Sequence, residues 1–184
     1  MTELGDRVVT GGTDRGGPTV DRLAGSGPLQ AHPALRRYVQ CFLDTFLVDG
    51  RLDPRLRELT ILRIAWQCRQ PFEWASHHRV ARRIGVSDDD ILAVRTGPTA
   101  ARFGPAERAV LSAADEVVEL GRITGSSYER CRQAFGGADD VALEFLHLAA
   151  GYRMMATILS TTQPSLADAG LTLWPPDGTG PDPA

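Results

Sequence analysis

Apolar residues recur at three- and four-residue intervals through most of the chain, the spacing of one helical face. Leu35, Val39, Phe42, Leu43, Phe46 and Leu47 form such a stripe. Pro33 opens it at a favourable first-turn position and Asp49-Gly50 ends it. Asp53-Pro54 then pairs an N-cap with proline at the first helical position. The helix it starts runs to about Arg69. Leu56, Leu59, Ile61, Leu62, Ile64, Ala65 and Trp66 nearly encircle it, the mark of a central helix. Pro71 breaks or restarts the chain, and a helix over about 72–84 ends at Gly85. Ser87 caps a short helix through Val94, with Asp88, Asp89 and Asp90 at its positive end, and Gly97-Pro98 closes it. Further helices are predicted from Pro105 to Leu120, from Ser126 or Ser127 to about Phe135, and from Asp139 to about Thr161. No alternating strand pattern competes. The pattern predicts an all-α fold, a bundle of about seven helices with short connections.

The two ends differ from this body. Residues 1–30 carry many glycines and few large apolar side chains, and read as a mobile N-terminal arm. The helical domain is expected over 31–169. The tail, 170–184, is rich in Pro and Gly and reads as irregular. Trp174 is the exception in it, since a Trp in a polar tail often packs back onto the body or a neighbouring subunit.

The chain has 184 residues, enough for one domain with a sizeable core, and 42% of them are hydrophobic, as in a soluble globular protein. Net charge is -3, which gives no sign of a nucleic-acid or membrane partner. Every basic side chain is Arg, so Schiff-base chemistry on a Lys is excluded. No stretch approaches the ~20 apolar residues of a membrane span. The N-terminus lacks the apolar run of a secretion signal. Cys41, Cys68 and Cys131 are odd in number and far apart, with no C-x-x-C. Each reads as a small buried apolar residue, and a reducing cytoplasm fits.

Candidate chemistry lies on the two central helices. Glu58, Glu73 and His77 stand on apolar helices, and carboxylates are rarely buried without a reason. Glu73 and His77 are four apart and share a face; Glu58 comes from the preceding helix. With the two helices antiparallel, all three meet in a pocket walled by Trp66, Phe72 and Trp74. An apolar wall and a neighbouring carboxylate raise a carboxyl pKa, so one Glu would be a protonated acid and the other an ionised base or a partner orienting His77. The plainer reading is an ordinary helical pair of Glu73 with His77 and a solvated ion pair of Glu58 with Arg57 or Arg55. His78 points about 100° from His77 and is a weaker candidate for the pocket lining. Tyr152 offers a phenol to a ligand or packs in the core, and His147 reads as a hydrogen-bonded core histidine. Glu58, Glu73 and His77 are oxygen and nitrogen ligands, but there is no H-E-x-x-H, and no metal or cofactor is expected.

Several motifs in order add a family reading. These are Arg57-Glu58-Leu59, the aromatic-Glu-Trp-x-x-His run ending at His77, Arg79-Val80-Ala81-Arg82-Arg83-x-Gly85, Val86-Ser87-Asp88-Asp89-Asp90-Ile91 and Gly151-Tyr152-Arg153-Met154. Over about residues 33–163 the chain resembles the carboxymuconolactone decarboxylase and alkylhydroperoxidase D-like family. The resemblance implies that family's helical bundle, no metal, and trimers or hexamers, with Tyr38, Phe42 and Phe46 of the first helix facing either a neighbour or the monomer's own core. The family's peroxidases carry C-x-x-C followed by three residues and a His, with a proton-relay Glu one helix upstream. That Glu falls on Glu58 and the His on His77, while the cysteine positions fall on Gln70 and Glu73. A thiol peroxidase needs an attacking thiolate and a resolving thiol, which neither residue supplies. The combined expectation is a thiol-independent acid–base enzyme acting on a small or medium organic molecule. Decarboxylation or lactone isomerisation fits the family's non-thiol members, and cyclisation in a biosynthetic pathway fits an aromatic pocket. Glu73 or His77 would remove a proton and Glu58 return one. The rivals are a residual peroxidase through Cys68 and a non-catalytic ligand-binding protein on the same fold.

Overall fold

The structure, a computed structural model, describes residues 31–181. The arm expected over 1–30 lies outside the described residues. Proline sets the first turn of α1 (Pro33–Leu47), α2 (Pro54–Gln67) and α3 (Pro71–Arg83), where its missing N–H loses no helical bond. Ser87 Oγ accepts from Asp90 N–H at 3.2 Å and so caps α4 (Asp88–Ala93). Proline again opens α5 (Pro105–Leu120), which Gly121 ends in the left-handed region at φ +68°. α6 (Gly125–Ala134) and α7 (Asp139–Thr162) complete the chain order. A 3₁₀ turn spans Gly97–Thr99, and no strand occurs among the described residues. The all-α bundle of seven helices read from the sequence is the one observed.

The boundaries differ most at α6. Its cap is Thr124, ahead of Ser126 and Ser127. The carboxylate of Glu116 accepts from Thr124 N–H at 2.7 Å and from the Ser127 hydroxyl, so a residue on α5 fixes where α6 begins.

α2 is the axis of the bundle. Every residue from Leu56 to Ala65 is buried, and the helix packs against α3, α5 and α7. An encircled helix must also bury its polar residues, and each of these has a partner. The Arg63 guanidinium donates to Asp115 Oδ1 at 2.5 Å and to the carbonyls of Val94 and Arg95 at 2.8 and 2.7 Å. This ties α2 to α5 and to the end of α4. At the other end, Glu144 of α7 accepts from the backbone N–H groups of Arg51 and Leu52 at 2.9 and 3.1 Å, holding the α1–α2 connection.

Three side chains depart from the apolar pattern. Leu35 is 49% exposed, one turn too early on α1 to reach α7. Cys41 is exposed because it falls off the Val39–Leu43–Phe46 face, so it is not the buried apolar residue expected. His147 is on the surface of α7, bonded at 2.8 Å to Leu143 O of its own helix, and not in the core. Of the first-helix aromatics, Phe46 belongs to the monomer core and Phe42 packs against it, while Tyr38 is exposed.

Gly151 shows how tightly α1 and α7 meet. A Cβ at Gly151 would lie 2.6 Å from Phe42 Cζ, inside the space of the ring. Gly151→Ala is therefore expected to destabilise the fold by about 1–3 kcal/mol despite alanine's better helix propensity. Urea unfolding measures the loss. Adding Phe42→Leu should recover part of it, and strictly additive effects would mean the contact is not the cause.

Candidate active site

The site is assembled by three helices. α2 supplies Arg57 and Glu58, α3 supplies Glu73 and His77, and α7 supplies Tyr152. Glu58 is fully buried. Its Oε2 lies 2.7 Å from His77 Nδ1 and its Oε1 accepts from Arg57 Nε at 2.9 Å. Burial alone pushes the Glu58 carboxyl up, but His77 and Arg57 outweigh it and hold the group below the usual glutamate range. An ionised carboxylate only accepts, so Nδ1 carries the hydrogen in this contact. His77 Nε2 is left buried without a partner. The His77 ring also meets Tyr152 edge-on, with centroids 5.1 Å apart.

Glu73 is the opposite case. Both its carboxyl oxygens are buried with no hydrogen-bond partner. Burial pushes its pKa well above the usual range, and the Arg153 charge offsets this only in part. The surroundings of Glu73 thus favour its neutral acid form over the carboxylate. Tyr152 has an unpartnered hydroxyl, and burial, then the Glu58 charge, keeps it a neutral phenol. Four buried polar atoms without partners on adjoining residues are unusual, since buried polar groups are nearly always paired.

Residues 33–116 match the model of the carboxymuconolactone decarboxylase family. The match covers less than half of the chain. The chain matches no curated protein and no solved structure at a significant level. The carboxymuconolactone decarboxylase segment takes in α1 to most of α5, and with them Glu58, Glu73 and His77; Tyr152 lies beyond it.

Within this family segment the remaining site candidates separate. Phe72, the residue before Glu73, is buried and borders a cavity of about 340 Å³ with Cys68, Gln70, Leu159 and Ser160. Trp66, Trp74 and His78 do not wall the acidic trio. They lie against the C-terminal segment, with Trp66 and Trp74 at 5.5 Å between ring centroids and His78 stacked on Trp174. The reason is the helical angle: His77 turns toward α2 and α7, and His78 toward the segment after α7. The bland alternative of a solvated Glu58 pair is corrected too, because Arg57 and Glu58 form a buried pair while Arg55 pairs with Asp90 and Glu107.

At the two cysteine positions of the family's peroxidases, Gln70 caps α3 through Oε1, accepting from Phe72 N–H at 2.8 Å, and Glu73 is the buried acid. Burial raises the Cys68 thiol above its ordinary value, and the Arg153 charge offsets this only in part. That keeps Cys68 away from the thiolate form a peroxidase uses. Two contributors were not singled out by the sequence reading. Arg57 was visible as a charge on an encircled helix beside Glu58, which is the signal for a buried ion pair. Arg153 stood in a quoted motif, but its charge acting on Glu73 depends on how α7 crosses α3. No helix among the described residues is long and apolar enough to cross a membrane.

Proposed function

We propose that this protein is a thiol-independent acid–base enzyme acting on a small or medium organic molecule, by decarboxylation, isomerisation or cyclisation. The observation that carries the reading is the buried His77–Glu58 contact of 2.7 Å, which leaves His77 Nε2 without a partner one helical turn from the buried, unpartnered Glu73 of the same helix. Two titratable groups whose surroundings push them to opposite protonation states mark an acid and a base. His77 Nε2 takes a proton next to a carbonyl, and the imidazolium formed is stabilised by Glu58. Glu73 returns a proton at a second carbon or at the carbonyl oxygen. In this reading Glu73 takes the acid role, whereas the sequence expectation had Glu73 or His77 removing a proton and Glu58 returning one. Tyr152 donates its phenol hydrogen to the developing oxyanion. Arg57 holds Glu58 ionised without touching the ligand. In this reading the cavity at Cys68, Gln70 and Phe72 is the approach to Glu73.

The test is a screen of small keto acids, lactones and enol-forming ketones against the full chain. His77→Ala and Glu73→Gln serve as controls whose folding is checked by circular dichroism. Turnover found in the native chain is expected to fall by about 10²-fold or more in each control. Equal turnover in native and variant proteins would remove both residues from the chemistry.

A further inference from the structure

A second face of α3, turned about 100° from His77 at His78, carries an arrangement that the acid–base reading does not use. His78 and the Trp174 ring are parallel within 7° at 4.3 Å between centroids. Trp74 Nε1–H donates to the carbonyl oxygen of Trp174 at 2.6 Å. Trp66 closes the trough beside Trp74, and the Arg95 guanidinium sits 5.5 Å over the Trp66 ring. We infer that this trough between α2 and α3, walled by Trp66, Trp74 and His78, is a binding site for planar aromatic carbonyl compounds, and that the C-terminal segment bearing Trp174 is its displaceable internal occupant.

Three observations support this. First, residues 171–181 form neither helix nor strand, and no backbone-to-backbone hydrogen bond ties 172–181 to the helices. The segment is held instead by side-chain hydrogen bonds to its carbonyls, Trp174 O from Trp74 and Thr179 O from Arg95 at 3.0 Å, and by the packing of Leu171, Leu173 and Trp174. Such a segment opens locally at small expense compared with a packed helix. Second, what Trp174 presents to the trough is a flat ring with an adjacent carbonyl acceptor. Once the segment leaves, the Trp74 N–H is a buried donor that needs an acceptor, and the His78 face needs a ring. Third, Trp174 is an incomplete occupant. His78 is 6% exposed and its Nε2 has no partner even with the segment in place. A ligand with one more polar group satisfies it. Burial, then the Arg82 charge, push the His78 pKa down to about 4, with Arg79 in the same direction and Asp88 opposed, so the ring that stacks is neutral.

N-acetyltryptophanamide, which joins an indole to carbonyl acceptors, is the probe, with indole and acetamide as its two halves. Calorimetry compares the full native chain with Trp174→Ala. A site filled by its own segment shows an apparent affinity reduced by the open fraction, so Trp174→Ala is expected to bind the probe at least about tenfold tighter. Adding His78→Ala or Trp74→Phe to that variant should abolish the gain, and acetamide alone should not bind. No binding, equal affinity in native and Trp174→Ala proteins, or binding indifferent to His78 and Trp74 would overturn the proposal. A measurement on the native chain removes dependence on the variant's folding. The Trp74 indole hydrogen is expected to exchange with solvent at least about tenfold faster than the amides of α2. Exchange at the α2 rate would mean the segment leaves only when the whole protein unfolds, and the idea fails.

Discussion

Glu58→Gln is expected to lower kcat/KM by about 10²–10⁴-fold while leaving the helices in place. The argument is one of hydrogen-bond polarity. The native carboxylate accepts twice, from Arg57 Nε at 2.9 Å and from His77 Nδ1 at 2.7 Å. An amide has one accepting and one donating end, and a guanidinium can only donate. The amide oxygen must therefore face Arg57, and its NH₂ group must face His77. Nδ1 is then forced to accept, the ring hydrogen moves to Nε2, and the nitrogen that took the proton can no longer do so. The histidine nitrogen chemical shifts report which ring atom carries hydrogen, with no substrate present, and rate measurements report the consequence. A ring hydrogen that stays on Nδ1, or an undiminished rate, would show that Glu58 does not orient His77.

Glu73→Gln should make the protein more stable at neutral and alkaline pH, the reverse of most core substitutions. The native carboxyl keeps its proton because burial lifts its pKa, while the unfolded chain loses that proton above the ordinary glutamate range. Over that interval the folded state binds one proton more than the unfolded state. Stability then falls as pH rises, by about 1.4 kcal/mol per pH unit, until the native group itself ionises. Glutamine is neutral and nearly isosteric, so it removes this slope. Urea unfolding at several values between about pH 5 and pH 8 measures both curves, and parallel curves would mean that Glu73 is not held as a neutral acid. Glu58 has the opposite sign: its pKa is depressed, so its contribution is present above the ordinary range and is lost as acid protonates it.

Much of the fold was legible because the chain marks its helix starts. Pro33, Asp53-Pro54, Ser87 and Pro105 all stand where their helices begin. The start of α6 was less legible, because three hydroxyl residues compete there and the choice is made by Glu116 on another helix. At the site, the spacing of Glu58 and His77 together with the family resemblance pointed to the pair that touches. The sequence could not say which carboxyl is the acid. That depends on Arg57 bonding Glu58 and on nothing bonding Glu73, and both are facts of packing. Trp66, Trp74 and His78 were legible as aromatic walls but not as walls of a different trough. Their neighbour Trp174 lies 100 residues from Trp74 along the chain, and no periodicity carries that information.

The cap on α3 bears on any attempt to engineer sulfur chemistry into this scaffold. Gln70 occupies a position where a cysteine would gain acidity from a helix N-terminus, yet here its amide closes the first turn and also reaches Ser160 of α7. Three residues on, the slot accommodates an uncharged acid. Installing a dithiol would unfasten the start of the helix that carries both histidines, and would place an ionising sulfur where the surroundings reject charge. A dithiol at these two positions is thus opposed by the packing around them.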